Sequence, residues 1–428
     1  MRALSAVMSE DYLPRLIDPY LSEVLEHSGA VLIEGVKWCG KTRSAEERAA
    51  SVLSFHDPDM SQSDIRMANM KPSNVLKGET PRLIDEWQLA PNIWNAVKYT
   101  VDKRRMPGQF ILTGSAAPEE DDSLHPGTGR ITRVRMRPMS LFESRESNGS
   151  VSLRGLFGGE HDIEASSKLS LNELSSALVR GGWPFLIGVQ EKFVIREMQS
   201  YVESIINKDI SKYDNVQRSP VIVRELMRSL SRNISTVANM STIRRDMTGD
   251  DDMISEKTVS SYINALRKIF IVEDVPAWNP SMRSKAAVRA SPSRHFVDPS
   301  IATAVMRVSP ENLLRDLNAF GLLFESLCIR DLRVYSQTID GEIFHYHDSY
   351  DLEADAIIHL NDGRWGAAEI KLGGDEIDKA AKNLKKLKDR VDTDEMREPS
   401  FLMILSGTEY AYRRDDGVLV VPVGCLGP

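Results

Sequence analysis

The chain has 428 residues, of which 54 are lysine or arginine and 62 are aspartate or glutamate, so its formal net charge is −8. Its hydrophobic fraction of 41% and charged fraction of 27% are ordinary for globular protein and exclude collagen, wholesale disorder and a disulfide scaffold. The net negative charge argues against a protein that coats nucleic acid indiscriminately, although it permits local basic patches. The length predicts about two to four domains, each able to bury a core.

The cysteine pattern and the apolar runs indicate a protein of the cytoplasm. Cys39, Cys328 and Cys425 lie far apart and no pair has the spacing of a metal clamp, which favours a reducing compartment. The first residues lack a long apolar core followed by a small-residue cleavage site. No apolar run approaches the roughly 18 residues needed to span a bilayer, so we expect a soluble protein without a membrane partner.

Three regions follow one another along the chain. Residues 1–165 alternate short apolar segments with helical ones, which is typical of an α/β domain with a parallel sheet. The predicted strands of this region are Ala30–Glu34, Val52–His56, Arg82–Asp85 and Gln109–Thr113. Residues 166–300 are mostly helical, and residues 301–428 return to mixed helices and strands. Polar joints are expected at Ser144–Ser152 and Glu160–Ser170.

The first predicted strand leads into Gly35–Thr42, GVKWCGKT, which fits the phosphate-binding pattern G-x-x-x-x-G-K-[ST] without a mismatch. Glycines let the backbone curl so that its N–H groups point at phosphates near a helix N-terminus. Lys41 should reach the β- and γ-phosphates, and the Thr42 hydroxyl should bind Mg²⁺. We therefore predict an ATP and magnesium site, the alternative being a glycine-rich turn without a ligand. The predicted nucleotide-binding residues are Gly35, Val36, Lys37, Trp38, Cys39, Gly40, Lys41 and Thr42.

The next two strands add candidates for metal binding and catalysis. Asp85, at the end of a strand beside the phosphate loop, can hold Mg²⁺ through water. Glu86 can orient or deprotonate the attacking water, although a solvated strand tip is the alternative. The strand Phe110–Ser115 ends in hydroxyls, of which Thr113 is the candidate to sense the γ-phosphate. A loop is predicted at Ala116–Gly129.

Four segments, GVKWCGKT, RLIDEWQLAPNIWNAVKYTVD, QFILTGSA and GTGRITRVRMRPMSLFE, resemble in that order the AAA-type P-loop ATPases of bacteria and archaea that carry an uncharacterised C-terminal domain. The resemblance implies ATP hydrolysis. In that family a Gly-Arg pair precedes a strand and a Pro-x-Ser-Phe-x-Glu-like segment, here Gly129, Arg130 and Pro138–Glu143. Arg130 is therefore a candidate γ-phosphate arginine or an inter-subunit arginine, the latter in a homo-oligomer. The alternative is a surface arginine in a basic strand.

The middle region has the pattern of a helical module with a wing. Its three predicted helices are Val221–Leu230, Ser235–Met247 and Glu256–Ile269. Ser255 is the expected N-cap of the third helix. Ile271–Val275 and Ser293–Val297 could pair as the wing, so the region resembles a winged helix-turn-helix.

This resemblance implies that the third helix could face a DNA groove. The candidate contact residues are Lys257, Thr258, Ser260, Ser261 and Asn264. The segment Ser281–Arg294 carries four basic residues and no acidic one, which suits phosphate contact. The acidic loop Thr248–Met253 favours the alternative, a module that docks proteins only.

Four residues of the last region could form one site, namely Glu325 on a helix, Asp355 on a strand, and Glu369 and Lys371 on the next strand. Period-2 alternation puts Glu369 and Lys371 on one strand face. Two carboxylates that hold Mg²⁺, here Asp355 and Glu369, with a lysine beside them suit phosphodiester hydrolysis. Glu325 would approach from its helix as an outer ligand or orienting group.

The same stretch resembles the restriction-endonuclease-like fold, PD-(D/E)XK, as does the C-terminal domain of the same ATPase family. The resemblance implies an α+β domain with magnesium-dependent nuclease chemistry, and the basic stretch Lys379–Arg390 suits DNA beside the site. Glu353 could replace Asp355 because it shares its strand face. The basic helix could also be a solvated amphipathic face with Leu384 and Leu387 turned inward.

The sequence thus predicts an α/β ATPase domain, a helical and winged-helix-like middle and a restriction-endonuclease-like end. Two functions stay open. One is an ATP-regulated nuclease that acts on DNA. The other is a nucleotide-switched protein that docks a DNA or protein partner and cuts no bond.

Overall fold

The computed structural model describes residues 12–115, 127–212, 216–248, 254–280, 291–348, 350, 352–391 and 396–428. Three predicted features lie largely outside these residues: the loop Ala116–Gly129, the acidic loop Thr248–Met253 and the basic segment Ser281–Arg294.

Five parallel strands form the first sheet, in the order β2-β3-β4-β1-β5. They are β1 (Ala30–Glu34), β2 (Ser51–Ser54), β3 (Arg82–Asp85), β4 (Phe110–Gly114) and β5 (Ile131–Arg135). The predicted parallel α/β sheet is confirmed, and β1 and β3 have the predicted bounds. The carboxyl ends of all five strands lie at one edge, where the phosphate loop and the residues after β3 and β4 meet.

Helices cover both faces of this sheet. They are α1 (Asp18–His27), α2 (Lys41–Glu46), α3 (Gln62–Met70), α4 (Pro72–Val75) and α5 (Asn92–Arg104), with a 3-10 turn at Trp87–Leu89. Alternate residues of β1 enter different cores, since Leu32 packs with Trp94 of α5 while Val31 and Ile33 belong to the large core shared with the rest of the chain. Burial on both faces explains why β1 is apolar without alternation.

The two segments that were predicted as polar joints form strands that pair with the end of the chain. β6 (Val151–Ser152) runs parallel to β14 (Leu426–Gly427), and the short helix α6 (Leu153–Phe157) follows it. β7 (Glu164–Ser166) pairs antiparallel with β12 (Tyr410–Arg413) at the edge of the second sheet. These segments differ from the prediction because short polar strands can be held by backbone hydrogen bonds to distant segments, with β7 at the edge of the second sheet and β6 in a two-stranded sheet with β14.

The middle of the chain is helical, as expected. Its elements are α7 (Leu171–Arg180), a 3-10 turn at Pro184–Leu186, α8 (Glu191–Ser204), a π-helical turn at Ile205–Asp209, α9 (Ile210–Lys212), α10 (Pro220–Arg232), α11 (Met240–Thr248), α12 (Glu256–Lys268), α13 (Ser300–Met306) and α14 (Pro310–Arg315). Helix α11 begins five residues later than predicted, after Ser235 adopts a left-handed φ of 59°. Ser255 caps α12 by accepting a hydrogen bond from Thr258 N at 3.1 Å. The wing segments meet at two isolated antiparallel bridges, Val272–Phe296 and Val275–Ser293.

The second sheet has seven strands, in the order β7-β12-β13-β11-β10-β9-β8. Its remaining strands are β8 (Gly341–His347), β9 (Glu353–Leu360), β10 (Trp365–Lys371), β11 (Leu402–Ser406) and β13 (Leu419–Pro422). The 21-residue helix α15 (Leu317–Gln337) packs on β8, β9 and β10, and α16 (Ile377–Arg390) packs on β9, β10 and β11. Leu384 and Leu387 of α16 are fully buried against the sheet. None of the helices in the described ranges is long and apolar enough to cross a membrane.

Candidate functional sites: a phosphate loop and a lysine–carboxylate cluster

Two glycines let Gly35–Thr42 wrap between β1 and α2. A Cβ atom on Gly35 would lie 2.1 Å from the backbone oxygen of Met136, so a larger residue would displace β5. Gly40 precedes the helix with a φ of 100°, in the left-handed region that favours glycine. The strand-loop-helix context that the phosphate-binding pattern requires is therefore present.

Lys41 is the charged centre of this loop. Its Nζ donates hydrogen bonds to Gly35 O at 2.9 Å and to Val36 O at 2.8 Å, and the residue is only 6% exposed. The ammonium group is thus held inside the curl of the loop. The side chains of Val36 and Cys39 are buried in the large core, so only their backbone can contact a nucleotide.

Asp85 lies beside the loop and accepts hydrogen bonds from hydroxyl groups. Thr42 Oγ1 donates to Asp85 Oδ1 at 2.8 Å, and Ser54 Oγ donates to Oδ2 at 3.2 Å. A hydroxyl and a carboxylate in contact at a phosphate loop are the groups that would hold Mg²⁺ there, directly and through water. Thr42 and Asp85, the two predicted metal ligands of this loop, are therefore arranged as a magnesium site would require.

Thr113, the predicted γ-phosphate sensor, lies beside Asp85 and Glu86. The residue is 1% exposed, its hydroxyl donates to Asp85 Oδ1 at 2.5 Å, and it accepts a hydrogen bond from Glu86 N at 3.3 Å. The β3–β4 register places Thr113 directly beside Asp85. Thr113 therefore contacts both acidic residues, and its role on the γ-phosphate stays a prediction.

Glu86 occupies a left-handed turn after β3, with a φ of 55°. Its Oε1 accepts a hydrogen bond from Ser115 Oγ at 2.8 Å, and its Oε2 accepts one from the Gln88 amide. Positive φ is uncommon in residues other than glycine and occurs often at functional sites. Ser115 is a site residue that sequence reasoning missed. The available signal was the second hydroxyl at the end of the same strand.

Arg130 lies where the strands of the first sheet begin, whereas the phosphate loop lies where they end. Its carbonyl accepts a hydrogen bond from Ala30 N, at the start of β1, whereas the loop begins after the last residue of β1. Five strand residues separate the two points, which is roughly 15 Å. Arg130 Nε donates to Asp102 Oδ1 at 2.9 Å on the surface. A role on the γ-phosphate of its own chain does not fit this position, while the inter-subunit role stays a prediction.

The middle of the phosphate loop is attached to the helical region. Lys37 Nζ lies 2.5 Å from Asp209 Oδ1 in the π-helical turn. The Trp38 ring, 41% exposed, stacks on Tyr201 with centroids 4.5 Å apart and meets Phe185 edge-on at 4.7 Å. A change in the shape of the loop would therefore be transmitted to α8 and the turn that follows it.

The predicted DNA-facing residues of α12 differ in exposure. Lys257, Ser261 and Asn264 are exposed, whereas Thr258 and Ser260 are half-buried. The Thr258 hydroxyl also contacts the capping Ser255 hydroxyl at 2.9 Å. DNA contact through this helix stays a prediction.

At the other end of the chain, Lys371 connects two carboxylates on neighbouring strands. Its Nζ lies 2.8 Å from Glu369 Oε2 and 3.3 Å from Asp355 Oδ2. Asp355 Oδ2 also accepts a hydrogen bond from Ile370 N at 2.6 Å. Glu325 on α15 makes no ion pair with this group within the described residues, but it interacts electrostatically with Asp355. We call Asp355, Glu369 and Lys371 the lysine–carboxylate cluster.

Burial controls the electrostatics of this cluster. Burial and the nearby Asp355 raise the pKa of Glu369 to about 7, and burial with Asp355 raises the pKa of Glu325 well above its ordinary value. Burial alone would lower the pKa of Lys371, but the two carboxylates outweigh it and raise that pKa. Lys371 therefore stays charged at neutral pH while Glu369 is close to its titration midpoint.

The fit of the cluster to a metal ion is partial. Among the residues that the structure describes, no group of three or more His, Cys, Asp or Glu side chains is arranged to hold a metal. Two carboxylates do converge, and Glu369 Oε1 is buried and has no hydrogen-bond partner among the described residues. A carboxylate oxygen in that position is one that a divalent cation could take. The metal role of Asp355 and Glu369 stays a prediction.

The raised pKa of Glu369 leads to a prediction about stability. Its ordinary pKa is 4.5 and its pKa in the folded protein is about 7, so its contribution to stability is complete below pH 4.5 and is lost as pH rises towards 7. We expect the free energy of unfolding to lose on the order of 2 kcal/mol over that window. In Glu369→Gln this part of the pH dependence should vanish. Urea unfolding at pH 5 and pH 8 measures it, with exposed Glu353→Gln as the control. Equal pH dependence in all three proteins would contradict the assignment.

Three family models match consecutive stretches of the chain. Residues 27–144 match a family described as an AAA domain. Residues 171–312 and 320–426 match two domains of unknown function, DUF8612 and DUF4143 respectively. Neither of the last two matches establishes a winged helix or a restriction-endonuclease-like fold.

The chain also resembles several individual proteins. Uncharacterized proteins of Mycobacterium bovis and Mycobacterium tuberculosis are each 21% identical over 359 residues, which cover 82% of this chain and 72% of theirs. The Walker-type ATPase PABY2304 of Pyrococcus abyssi is 15% identical, covers 70% of this chain and 97% of its own, and has a TM-score of 0.42. The ORC1 protein of Aeropyrum pernix, solved with DNA, is 12% identical with a TM-score of 0.28, and covers 70% of this chain and 95% of its own. Residues 27–144, which contain the phosphate loop, thus have the family match and the strand-loop-helix geometry of an AAA-type P-loop ATPase domain.

Proposed function

We propose that the protein hydrolyses ATP at the phosphate loop and that the nucleotide state controls a magnesium-dependent nuclease that acts on DNA at the lysine–carboxylate cluster. The observation that carries the nuclease proposal is the position of Lys371 Nζ, within 3.3 Å of carboxylates from two adjacent strands. An acidic pair with a neighbouring cation is the arrangement that metal-assisted phosphodiester hydrolysis uses.

At the phosphate loop, each residue has a separate task. Lys41 would neutralise charge on the β- and γ-phosphates, and Thr42 and Asp85 would hold Mg²⁺, which neutralises the phosphates further. Glu86 would accept a proton from the attacking water. Its hydrogen bonds with Ser115 and Gln88 hold the carboxylate in one orientation.

At the cluster, Asp355 and Glu369 would hold Mg²⁺. When bound, the ion supplies a Lewis acid and lowers the pKa of water. Lys371, whose pKa is raised, keeps its proton and would stabilise negative charge that develops on the phosphate. Glu325 is half-buried on α15, its pKa is raised by burial and by the nearby Asp355, and it would orient the group from that helix.

Control by nucleotide is supported by the contacts of α15. This helix carries Glu325 near the cluster, and its far end contacts the ATPase domain. Gln337 Nε2 donates to Arg135 O at 2.9 Å, at the end of β5, and Asp331 Oδ2 accepts from Leu141 N at 3.0 Å. Since β5 pairs with β1, which leads into the phosphate loop, one helix connects the two sites.

Asp355→Ala should abolish DNA cutting and leave ATP hydrolysis intact. Loss of a metal ligand removes several kcal/mol of transition-state stabilisation, so we expect cutting to fall by at least about 100-fold. Purified protein is incubated with Mg²⁺ or Mn²⁺, with and without ATP, on linear and circular DNA, and both phosphate release and strand cuts are measured. The control is Glu353→Ala, an exposed carboxylate on the same strand that pairs with His347. If Glu353→Ala loses cutting instead, Glu353 is the ligand, as the sequence left open.

One observation favours the rival, a nucleotide-switched protein that binds a DNA or protein partner without cutting it. The Lys371 ammonium already pairs with both carboxylates, so the cluster is partly neutralised without a metal. If neither the parent protein nor Asp355→Ala cuts DNA while both bind a partner in an ATP-dependent manner, the rival is correct.

A further inference from the structure

We infer that one flank of α16 binds the phosphodiester backbone of duplex DNA beside the lysine–carboxylate cluster. The surface consists of Lys379, Lys382 and Lys386 and is called the lysine row below. The inference rests on the proposed function, because it names the substrate class of the same site and the surface that would hold it.

The position of the lysine row follows from the way α16 is buried. Ala380, Ala381, Leu384 and Leu387 face the sheet and are at most 1% exposed. Asn383 lies at the border of this buried stripe and interacts with the Glu369 carboxylate. The helix itself packs on β9 and β10, the strands that carry Asp355, Glu369 and Lys371. Lys379 lies four residues before Asn383 and Lys386 three residues after it, so both share its face of the helix. Lys382 lies three residues after Lys379 and four before Lys386, so it lies beside both on the same flank of the helix. The row therefore borders the cluster.

Among the described residues the lysine row has no acidic partner, unlike the cations at the end of the helix. Lys379, Lys382 and Lys386 are exposed, and none forms a salt bridge with a residue that the structure describes. In contrast, Lys388 pairs with Glu398 at 2.8 Å, and Arg390 pairs with Asp348. Like charges three and four residues apart on a helix repel one another. A polyanion along this flank would remove that repulsion.

The chemistry of the row favours a nucleic-acid backbone as its ligand. Lysine is a point charge on a flexible stem, which suits phosphate contact and does not read base edges. Lys379 and Lys386 are seven residues apart, about 10 Å along the helix, which corresponds to about three phosphates of one DNA strand. The row should therefore bind DNA without sequence preference and hold a phosphodiester next to Lys371.

Adjacent residues of α16 offer a matched test. Lys386→Gln removes a cation of the row, while Lys385→Gln removes a cation on the other flank, which interacts with Asp416. Binding of the full chain to a fluorescent 20-base-pair duplex is measured by anisotropy, with Ca²⁺ in place of Mg²⁺, over a series of salt concentrations. Lys386→Gln should weaken binding about 3- to 10-fold and lower the salt slope by about one, and the triple Gln variant of the row should lower it by about three. Lys385→Gln should stay within about twofold of the parent protein.

The outcomes separate this inference from the proposed function. If DNA binding depends on the lysine row but no strand is cut, the row is supported as a DNA-binding surface and the proposed nuclease activity is contradicted. Cutting that is unaffected by the triple variant supports the nuclease and overturns the row. Equal losses of DNA affinity in Lys385→Gln and Lys386→Gln would show that only the net charge matters, which would also overturn the inference. Row-dependent binding to an acidic peptide or to anionic vesicles, but not to DNA, would assign the surface to another partner.

Discussion

Lys41→Ala is expected to abolish ATP binding or to weaken it by at least roughly 100-fold, because hydrogen bonds from a charged group contribute about 1.5–3 kcal/mol each. The Nζ atom is held by Gly35 O and Val36 O inside the loop, so the alanine variant loses the charge at the place where the phosphates would be bound. Titration calorimetry with ATP and Mg²⁺ measures the affinity. Unchanged affinity would contradict the assignment of the phosphate loop.

A control is needed because the same substitution leaves two backbone carbonyls without their partner. Circular dichroism and the thermal unfolding midpoint of Lys41→Ala should remain close to those of the parent protein if only the ligand site is affected. Arg43→Ala is the matched variant, two residues further along α2. Its exposed side chain pairs, among the described residues, with Glu46 and Glu47 on the surface, so ATP affinity should not change.

Glu86→Gln is expected to retain ATP while turnover falls by roughly 10²–10⁴-fold, the usual contribution of a general base. The amide can still hydrogen-bond water but cannot accept its proton. Ser115 Oγ, 2.8 Å from Glu86 Oε1, can remain in contact with the variant side chain, so the fold of the strand ends should be kept. Single-turnover phosphate release and equilibrium ATP binding, measured on the same preparation, separate the two effects.

Two neighbouring substitutions test whether Glu86 itself carries the chemistry. Ser115→Ala removes one hydrogen bond to the carboxylate and should lower turnover by roughly 10- to 100-fold, since a hydrogen bond to a charged group contributes about 1.5–3 kcal/mol. Gln88→Ala should behave similarly, because its amide only orients the other oxygen. If Glu86→Gln turns over as fast as the parent protein, Glu86 is a strand-tip carboxylate and another group activates the water.

The sequence alone was sufficient to predict the local structure of a candidate site that is one short continuous segment. The phosphate loop lies between a buried strand and a helix, and its glycines, Lys41 and Thr42 are all within eight residues. β1 and β3 could be predicted to the residue because parallel strands that are buried on both faces are continuous apolar runs with polar ends. Asp85 and Glu86 follow from the same argument, since the carboxyl ends of parallel strands meet at one edge.

Tertiary structure decided which of several similar side chains face the site. Thr113 and Ser115 both lie near the end of β4. The β3–β4 register buries Thr113 beside Asp85, while the Ser115 hydroxyl donates a hydrogen bond to Glu86. Arg130 directly precedes β5, which runs parallel to β1. It therefore lies where these strands begin, whereas the phosphate loop lies where β1 ends. Neither register nor strand direction is encoded in the local pattern, because both depend on backbone hydrogen bonds to distant segments.

The C-terminal region shows the same division. Strand alternation put Glu369 and Lys371 on one face, but only the antiparallel β9–β10 pairing brings Asp355 to the Lys371 ammonium. The polar segments that became β6 and β7 could not be recognised, since their partners lie about 240 to 280 residues further along the chain. Local residue types thus determined which chemistry is available to this protein. Long-range strand pairing decided which of those groups meet, because hydrogen-bond partners distant in sequence are chosen by the packing of the whole chain.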